Sequence, residues 1–290
     1  MFTGSIVAIV TPFKNGKFDE KAYGDLIQWH IKEGTSAIVP CGTTGESATL
    51  EYDEHYRVIQ VAIEAANKKV PIIAGTGANA TEETIKMTKE AQKLGANASL
   101  LVCPYYNKPT QEGLYRHYKA VAEAVDIPIV LYNVPGRTAL NMLPQTVARL
   151  AEIKNIVAIK EATGDMKQVS EVIRLCGDKI AVISGDDFTT FPLMMLGGKG
   201  VISVTANVMP KAVADMCALT ASGKIDEARA IHYKLDILNA AMFIETNPIP
   251  VKTALALMGK IQEEFRLPLC EMSKPNRDKL KEILSSYKLI

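Results

Sequence analysis

Residues 128–163 read PIVLYNVPGRTALNMLPQTVARLAEIKNIVAIKEAT. Two runs in this stretch, Ile129 to Tyr132 and Ile156 to Ile159, are apolar at successive positions, with no polar and apolar alternation. A strand with one wet face alternates. A parallel strand covered by helices on both faces does not. The residues between the two runs are long enough for one crossover helix. The stretch is therefore a βαβ unit, and each of its strands ends in a polar cluster.

The same pattern extends in both directions. Candidate strands begin near Ser5, Ser36, Pro71, Ala98, Pro128, Ile156, Ile180 and Gly200, 20 to 35 residues apart. Helical faces lie between them. Tyr23, Leu26, Ile27, His30 and Ile31 make one apolar stripe, and Met87, Ala91 and Leu94 make another. Gly95 fits a helix C-cap, and Asn79 with Glu82 resembles a capping box. Eight βα units in series predict an α/β fold, a closed (β/α)8 TIM barrel. An open doubly wound sheet uses the same units, but eight of them favour closure. Beyond the eighth strand only helical pattern remains. Ile231, Leu235, Leu238 and Met242 mark one face, Pro248 and Pro250 open a further segment, and Ser273 to Leu289 forms the last. Residues 1–224 read as the barrel and 225–290 as a small C-terminal helical extension. A chain of 290 residues suggests about two domains at roughly 150 residues each, yet barrels of this length form a single domain.

Lys+Arg is 33 and Asp+Glu is 32, a net charge of +1. Such balance offers no electrostatic reason to expect nucleic acid or an anionic membrane as partner. No run reaches the roughly 18 apolar residues of a membrane helix, and Met1 to Pro12 lacks the basic start of a signal peptide. Cys41, Cys103, Cys176, Cys217 and Cys270 are scattered, with no C-x-x-C pair, so free thiols in a cytoplasmic protein are expected.

Barrel enzymes place their chemistry at the C-terminal ends of the strands. Those ends here carry Gly42-Thr-Thr-Gly-Glu-Ser47, Tyr105-Tyr-Asn107, Tyr132 to Arg137, Lys160-Glu-Ala-Thr163 and Ser184-Gly-Asp-Asp187. Lys160 leaves an apolar strand end, where loss of solvation favours a neutral amine that can attack carbonyls. A lysine snorkelling to water is the plainer alternative. Tyr132, one strand earlier, is a phenol able to shuttle protons. The Gly42–Gly45 turn offers backbone N–H groups and two hydroxyls, a nest for a small carboxylate. Arg137 suits a second carboxylate. Gly75-Thr-Gly-Ala-Asn-Ala80 fits the dinucleotide fingerprint, but no acidic residue lies between Ala91 and Gln111 to hold a ribose. His30, His55, His117 and His232 make no H-x-x-x-H pair, so no metal site is expected. The Asp186-Asp187 pair reads as structural.

The motifs at Gly42–Glu46, Tyr132–Arg137 and Lys160–Gly164 resemble those of the dihydrodipicolinate synthase family, pyruvate-dependent class I aldolases. The similarity runs from Gly4–Pro12 to Asn247–Lys252. The resemblance implies condensation of pyruvate with L-aspartate 4-semialdehyde to 4-hydroxy-tetrahydrodipicolinate, on the diaminopimelate route to lysine. It implies a Schiff base on Lys160 and no cofactor. Tyr132 would shuttle protons, with Thr43 and Tyr106 completing a relay. Thr44 and the backbone near Ile202 would hold pyruvate, Arg137 the semialdehyde carboxylate, and Gly185 would line the site. In the family the residue matching Tyr106 crosses from a neighbouring subunit, within a homotetramer built as a dimer of dimers. Ser47, Ala48, His55, Asn79, Glu83 and Tyr105 match much of a feedback site for L-lysine, although Tyr52 stands where some inhibited members carry histidine. Sister aldolases that cleave keto-deoxy sugar acids share the lysine and the tyrosine. They differ at Arg137 and Tyr106, both present here. A catalytically silent barrel would have no need of Lys160 or Tyr132.

Overall fold

The computed structural model describes residues 2–290. Eight parallel strands form its centre: β1 (Gly4–Ala8), β2 (Ala37–Val39), β3 (Ile73–Gly75), β4 (Ala98–Val102), β5 (Ile129–Asn133), β6 (Ile156–Glu161), β7 (Ala181–Ser184) and β8 (Gly200–Ser203). Each begins within two residues of its expected start. The hydrogen-bonded order is β2-β1-β8-β7-β6-β5-β4-β3. A parallel bridge between Ile38 and Ile72 joins its two ends, and the Gly75 N–H donates to the Pro40 carbonyl at 3.0 Å. The sheet is therefore closed, and the open doubly wound alternative is excluded.

Alternation along each strand sorts the core. Ile6, Ala8, Val39, Ile73, Val130, Ala158, Ile183 and Ile202 fill the barrel interior. Their neighbours, among them Val7, Ile38, Leu131, Ile159 and Val182, face the helices in two outer clusters. Tyr23, Leu26, Ile27 and His30 bury the face of helix Glu20–Lys32, and Gly95 caps helix Thr81–Leu94 at φ 95°. One expected cap does not form. Helix Thr81–Leu94 starts a residue late, with Ala80 at its N-cap and no side-chain cap. Glu82 then falls one position short of where a capping box needs it. The Thr84 hydroxyl accepts from the Ala78 N–H at 3.1 Å instead, and the Asn79 carbonyl is held by Asn107.

Some connections hold more than a single helix. A two-residue-armed hairpin (Phe13–Lys14 with Lys17–Phe18) precedes the first helix, and two helices, Pro135–Thr138 and Pro144–Leu150, separate β5 from β6. After β8 come helices Pro210–Ala221, Ile225–Ala241, Ile249–Leu257 and Lys274–Ser286. Leu235, Leu238, Val251, Leu255, Leu280 and Leu284 belong to the same apolar cluster as Val7, Ile9 and Ile27. The C-terminal helices thus share a core with the barrel. No helix among the described residues is long and apolar enough to cross a membrane.

Candidate active site

β5 and β6 pair so that Tyr132 lies opposite Lys160. Both side chains point into the barrel, above Val130 and Ala158. Lys160 is only 6 % exposed, and its Nζ stands 4.1 Å from the centre of the Tyr132 ring. No carboxylate pairs with it among the described residues; Glu161, the next residue, points outward to Asn133 and Gln168. Gly185, at the end of β7, backs the lysine stem. A Cβ there would come within 3.0 Å of the Lys160 Cγ and Cε and 2.7 Å of the Ala162 Cβ, so only glycine leaves the stem its path.

The hydroxyl turn after β2 lies across the rim. Thr44 is buried, and its Oγ1 accepts from Asn247 Nδ2 at 3.0 Å. The carbonyl of Asn247 accepts from Arg137 Nη2 at 3.1 Å, so one residue from the C-terminal helices ties the turn to the loop after β5. The turn is fixed from beneath as well. Thr11 Oγ1 donates to the Gly45 carbonyl at 2.7 Å. Glu46, in a left-handed backbone conformation, accepts from Lys252 Nζ at 2.5 Å, with both side chains essentially sealed from solvent. Burial holds Lys252 below the usual lysine range, and the Glu46 charge offsets part of that. Its Nζ lies 4.3 Å from the Phe13 ring centre, and Arg266 covers the same ring while bonding Glu54 and, through its N–H, Glu46.

A cavity of about 610 Å³ opens beside Tyr132 and the Gly42–Thr43 end of the hydroxyl turn. Thr43, Tyr132, Arg137 and Asn247 line one part. The cavity runs on to Ser47, Ala48, His55, Glu83 and Tyr105, so part of each set of residues expected from sequence borders one space, while Lys160, Thr44, Gly185 and Ile202 are not among its lining residues. Tyr52 joins the second set, its hydroxyl donating to Glu83 at 2.8 Å. His55 is buried, with Nε2 2.8 Å from the Gly75 carbonyl, and burial lowers its affinity for a proton. Asn79 is not among the lining residues, and its carbonyl accepts from Asn107 Nδ2 at 2.8 Å. Ile202 is buried in β8 with its side chain in the barrel interior. Tyr106 is not gathered with the others. Its backbone takes φ 71°, and its ring is 91 % exposed.

The remaining motifs have structural explanations. A Cβ at Gly75 would lie 2.1 Å from the Cys41 carbonyl oxygen, and one at Gly77 2.4 Å from the Val102 nitrogen. These glycines let strands approach and leave no phosphate cradle. Asp187 accepts from the Ser203 hydroxyl and from the N–H groups of Val204 and Thr205, which pins the loop after β8. Asp186 caps the turn that follows it, and burial raises its carboxyl above the usual range. No group of three or more His, Cys, Asp or Glu side chains could hold a metal ion among the described residues. Asn247, the Glu46–Lys252 pair and the Asn133–Glu161 contact carry no local signature. Each joins positions far apart in the chain or hides among ordinary polar residues.

A closed barrel with a buried amine, a phenol and a hydroxyl turn on its C-terminal rim has the equipment of a Schiff-base aldolase. The family described as the dihydrodipicolinate synthetase family matches residues 1–287. A 4-hydroxy-tetrahydrodipicolinate synthase of Thermodesulfovibrio yellowstonii is 69% identical over the full length of both chains. Among solved structures, the chloride-inhibited dihydrodipicolinate synthase of Acinetobacter baumannii complexed with pyruvate superposes with a TM-score of 0.98 at 52% identity, all of both chains covered. The enzyme of Cyanidioschyzon merolae with lysine bound gives 0.97 at 41% identity, covering 100% of this chain and 99% of that one. The chain belongs to the dihydrodipicolinate synthetase family. Its activity is carbon–carbon bond formation between pyruvate and L-aspartate 4-semialdehyde, giving 4-hydroxy-tetrahydrodipicolinate, and the sister-aldolase and silent-barrel alternatives fall away.

Proposed function

We propose that Lys160 is the nucleophile and that the rim around it carries out the condensation in named roles. The observation that carries this is the setting of Lys160: buried, with no carboxylate paired to it among the described residues, and 4.1 Å from the centre of the Tyr132 ring. The Nζ attacks the pyruvate ketone, and the carbinolamine loses water to give an imine. Loss of a methyl proton makes an enamine, whose carbon bonds to the aldehyde carbon of the semialdehyde. The substrate amine then closes on the former ketone carbon and displaces Lys160. Tyr132 moves the protons, relayed through Thr43 and Tyr106. Thr44 and the backbone at Ile202 hold the pyruvate carboxylate, Arg137 the second carboxylate, and Gly185 lines the site. No cofactor is needed, because the imine nitrogen is itself the electron sink.

The exposed ring of Tyr106 suits delivery into a neighbouring copy, in keeping with a homotetramer assembled as a dimer of dimers. The five free cysteines, four of them buried, fit a reducing cytoplasm. L-Lysine is the proposed feedback inhibitor at Ser47, Ala48, His55, Asn79, Glu83 and Tyr105, and the lysine-bound relative supports this. Turnover is expected to fall at millimolar L-lysine; an unchanged rate would remove that role. The test of the main reading is borohydride reduction in the presence of pyruvate, followed by mass spectrometry. A pyruvyl adduct on Lys160 is expected, and its absence would remove the mechanism.

A further inference from the structure

The pairing of β5 with β6 is irregular. Ile129 lies opposite Ile156, but the next pair is Val130 with Ala158, so Val157 is an extra residue on β6. A bulge of this kind decides which side chains face inward beyond it, since a slip of one residue exchanges the two faces of a strand. Continued from Ile129–Ile156 without the bulge, Tyr132 would meet Ile159 and not Lys160. Something must hold the shifted register at the far end of the pair.

The two residues there are Asn133 and Glu161, directly opposite each other and facing the helices. Both are buried, Asn133 completely and Glu161 to 1 % exposure. Asn133 Nδ2 donates to Glu161 Oε2 at 3.1 Å across the strands. The Thr163 N–H donates to Glu161 Oε1 at 2.8 Å, and Gln168 Nε2 to Oε2 at 3.2 Å. Asn133 Oδ1 accepts from the Met142 N–H at 2.9 Å, and Asn141 joins Asn133 to Gln168. No cation neutralises Glu161 among the described residues, so its burial depends on these donors. The residue before each clamp residue is one of the reactive pair.

We propose that Asn133 and Glu161 are positioning residues, whose buried clamp fixes the register that brings Tyr132 opposite Lys160. This rests on the Schiff-base reading above. The clamp touches no reacting atom and acts through the strand backbone.

The experiment is borohydride trapping of pyruvate on the full chain, followed over time by mass spectrometry, with steady-state KM and kcat alongside. Glu161→Ala is expected to slow imine formation about 100-fold with little change in KM for pyruvate, the cost of misplacing a reacting group by an ångström. Glu161→Gln, which keeps the shape, carries the test if the alanine variant does not fold, and should slow it roughly tenfold. The exchange Glu161→Gln with Gln168→Glu restores a carboxylate–amide pair and should recover most of that loss. Asn155→Ala is the structural control. It removes partly buried bonds to the Ala122 and Val125 carbonyls far from the rim, and should lower the melting temperature without slowing imine formation. Wild-type trapping rates in folded Glu161→Gln, or an equal slowing in Asn155→Ala, would overturn the clamp alone. No adduct in the unmodified protein would overturn the Schiff-base reading along with it.

Discussion

Two buried lysines, Lys160 and Lys252, stand at this end of the barrel in opposite circumstances. Lys252 is sealed, ion-paired with Glu46 at 2.5 Å and sandwiched near Phe13 and Phe265. Lys160 has no carboxylate partner among the described residues, only the face of Tyr132 and the bare edge of Gly185. A paired buried ammonium is committed to its partner, because separation leaves two uncompensated charges. An unpaired one has no partner to leave before its nitrogen meets a carbonyl carbon. On the proposed mechanism, burial alone does not mark the reactive lysine; burial without a counter-ion does.

The largest effect that would test this contrast is on turnover. Lys160→Ala is expected to reduce kcat on the order of a thousandfold or more, since no other amine can form the imine. Its melting temperature should be unchanged or slightly raised, because an unpaired polar group leaves the interior. A folded variant retaining a tenth of the rate would break the comparison, as would loss of the barrel's circular dichroism.

Lys252 should show the reverse. Lys252→Met is expected to lower stability by about 3–5 kcal/mol through the stranded Glu46 carboxylate, measured by urea unfolding. Adding Glu46→Gln should recover much of it, and borohydride trapping on Lys160 should persist in the folded double variant. If Lys252→Met proves as stable as the parent, the ion pair is not what holds the Thr43–Thr44 turn.

The sequence announced one lysine and not the other. Lys160 ends an apolar strand run, and Tyr132 ends the run before it, so both were legible on one rim, whereas the bulge at Val157 that sets them directly opposite each other was not. Strand period and helix stripe are local properties, which is why all eight strand positions were readable. The Glu46–Lys252 pair spans 206 residues, and the Asn247–Thr44 bond 203. No spacing rule reaches that far. The Asn79 cap failed for a related reason: the choice of helix start was made by Thr84 and by Asn107 across a loop. Tyr106 was legible as a motif residue, but a single chain leaves its ring in solvent.

The ties between the C-terminal helices and the first quarter of the chain bear on how the protein is made. Glu46 leaves the ribosome long before Lys252 exists, and Arg266 follows later still. At roughly 5–20 residues per second, the carboxylate waits on the order of ten seconds or more for its partner. During that interval the turn proposed to hold pyruvate lacks the Glu46–Lys252 tie beneath it. The nascent barrel therefore remains without a finished rim until nearly the last segment emerges, so catalytic competence arrives at the end of synthesis and the unfinished chain is a species for chaperones to guard.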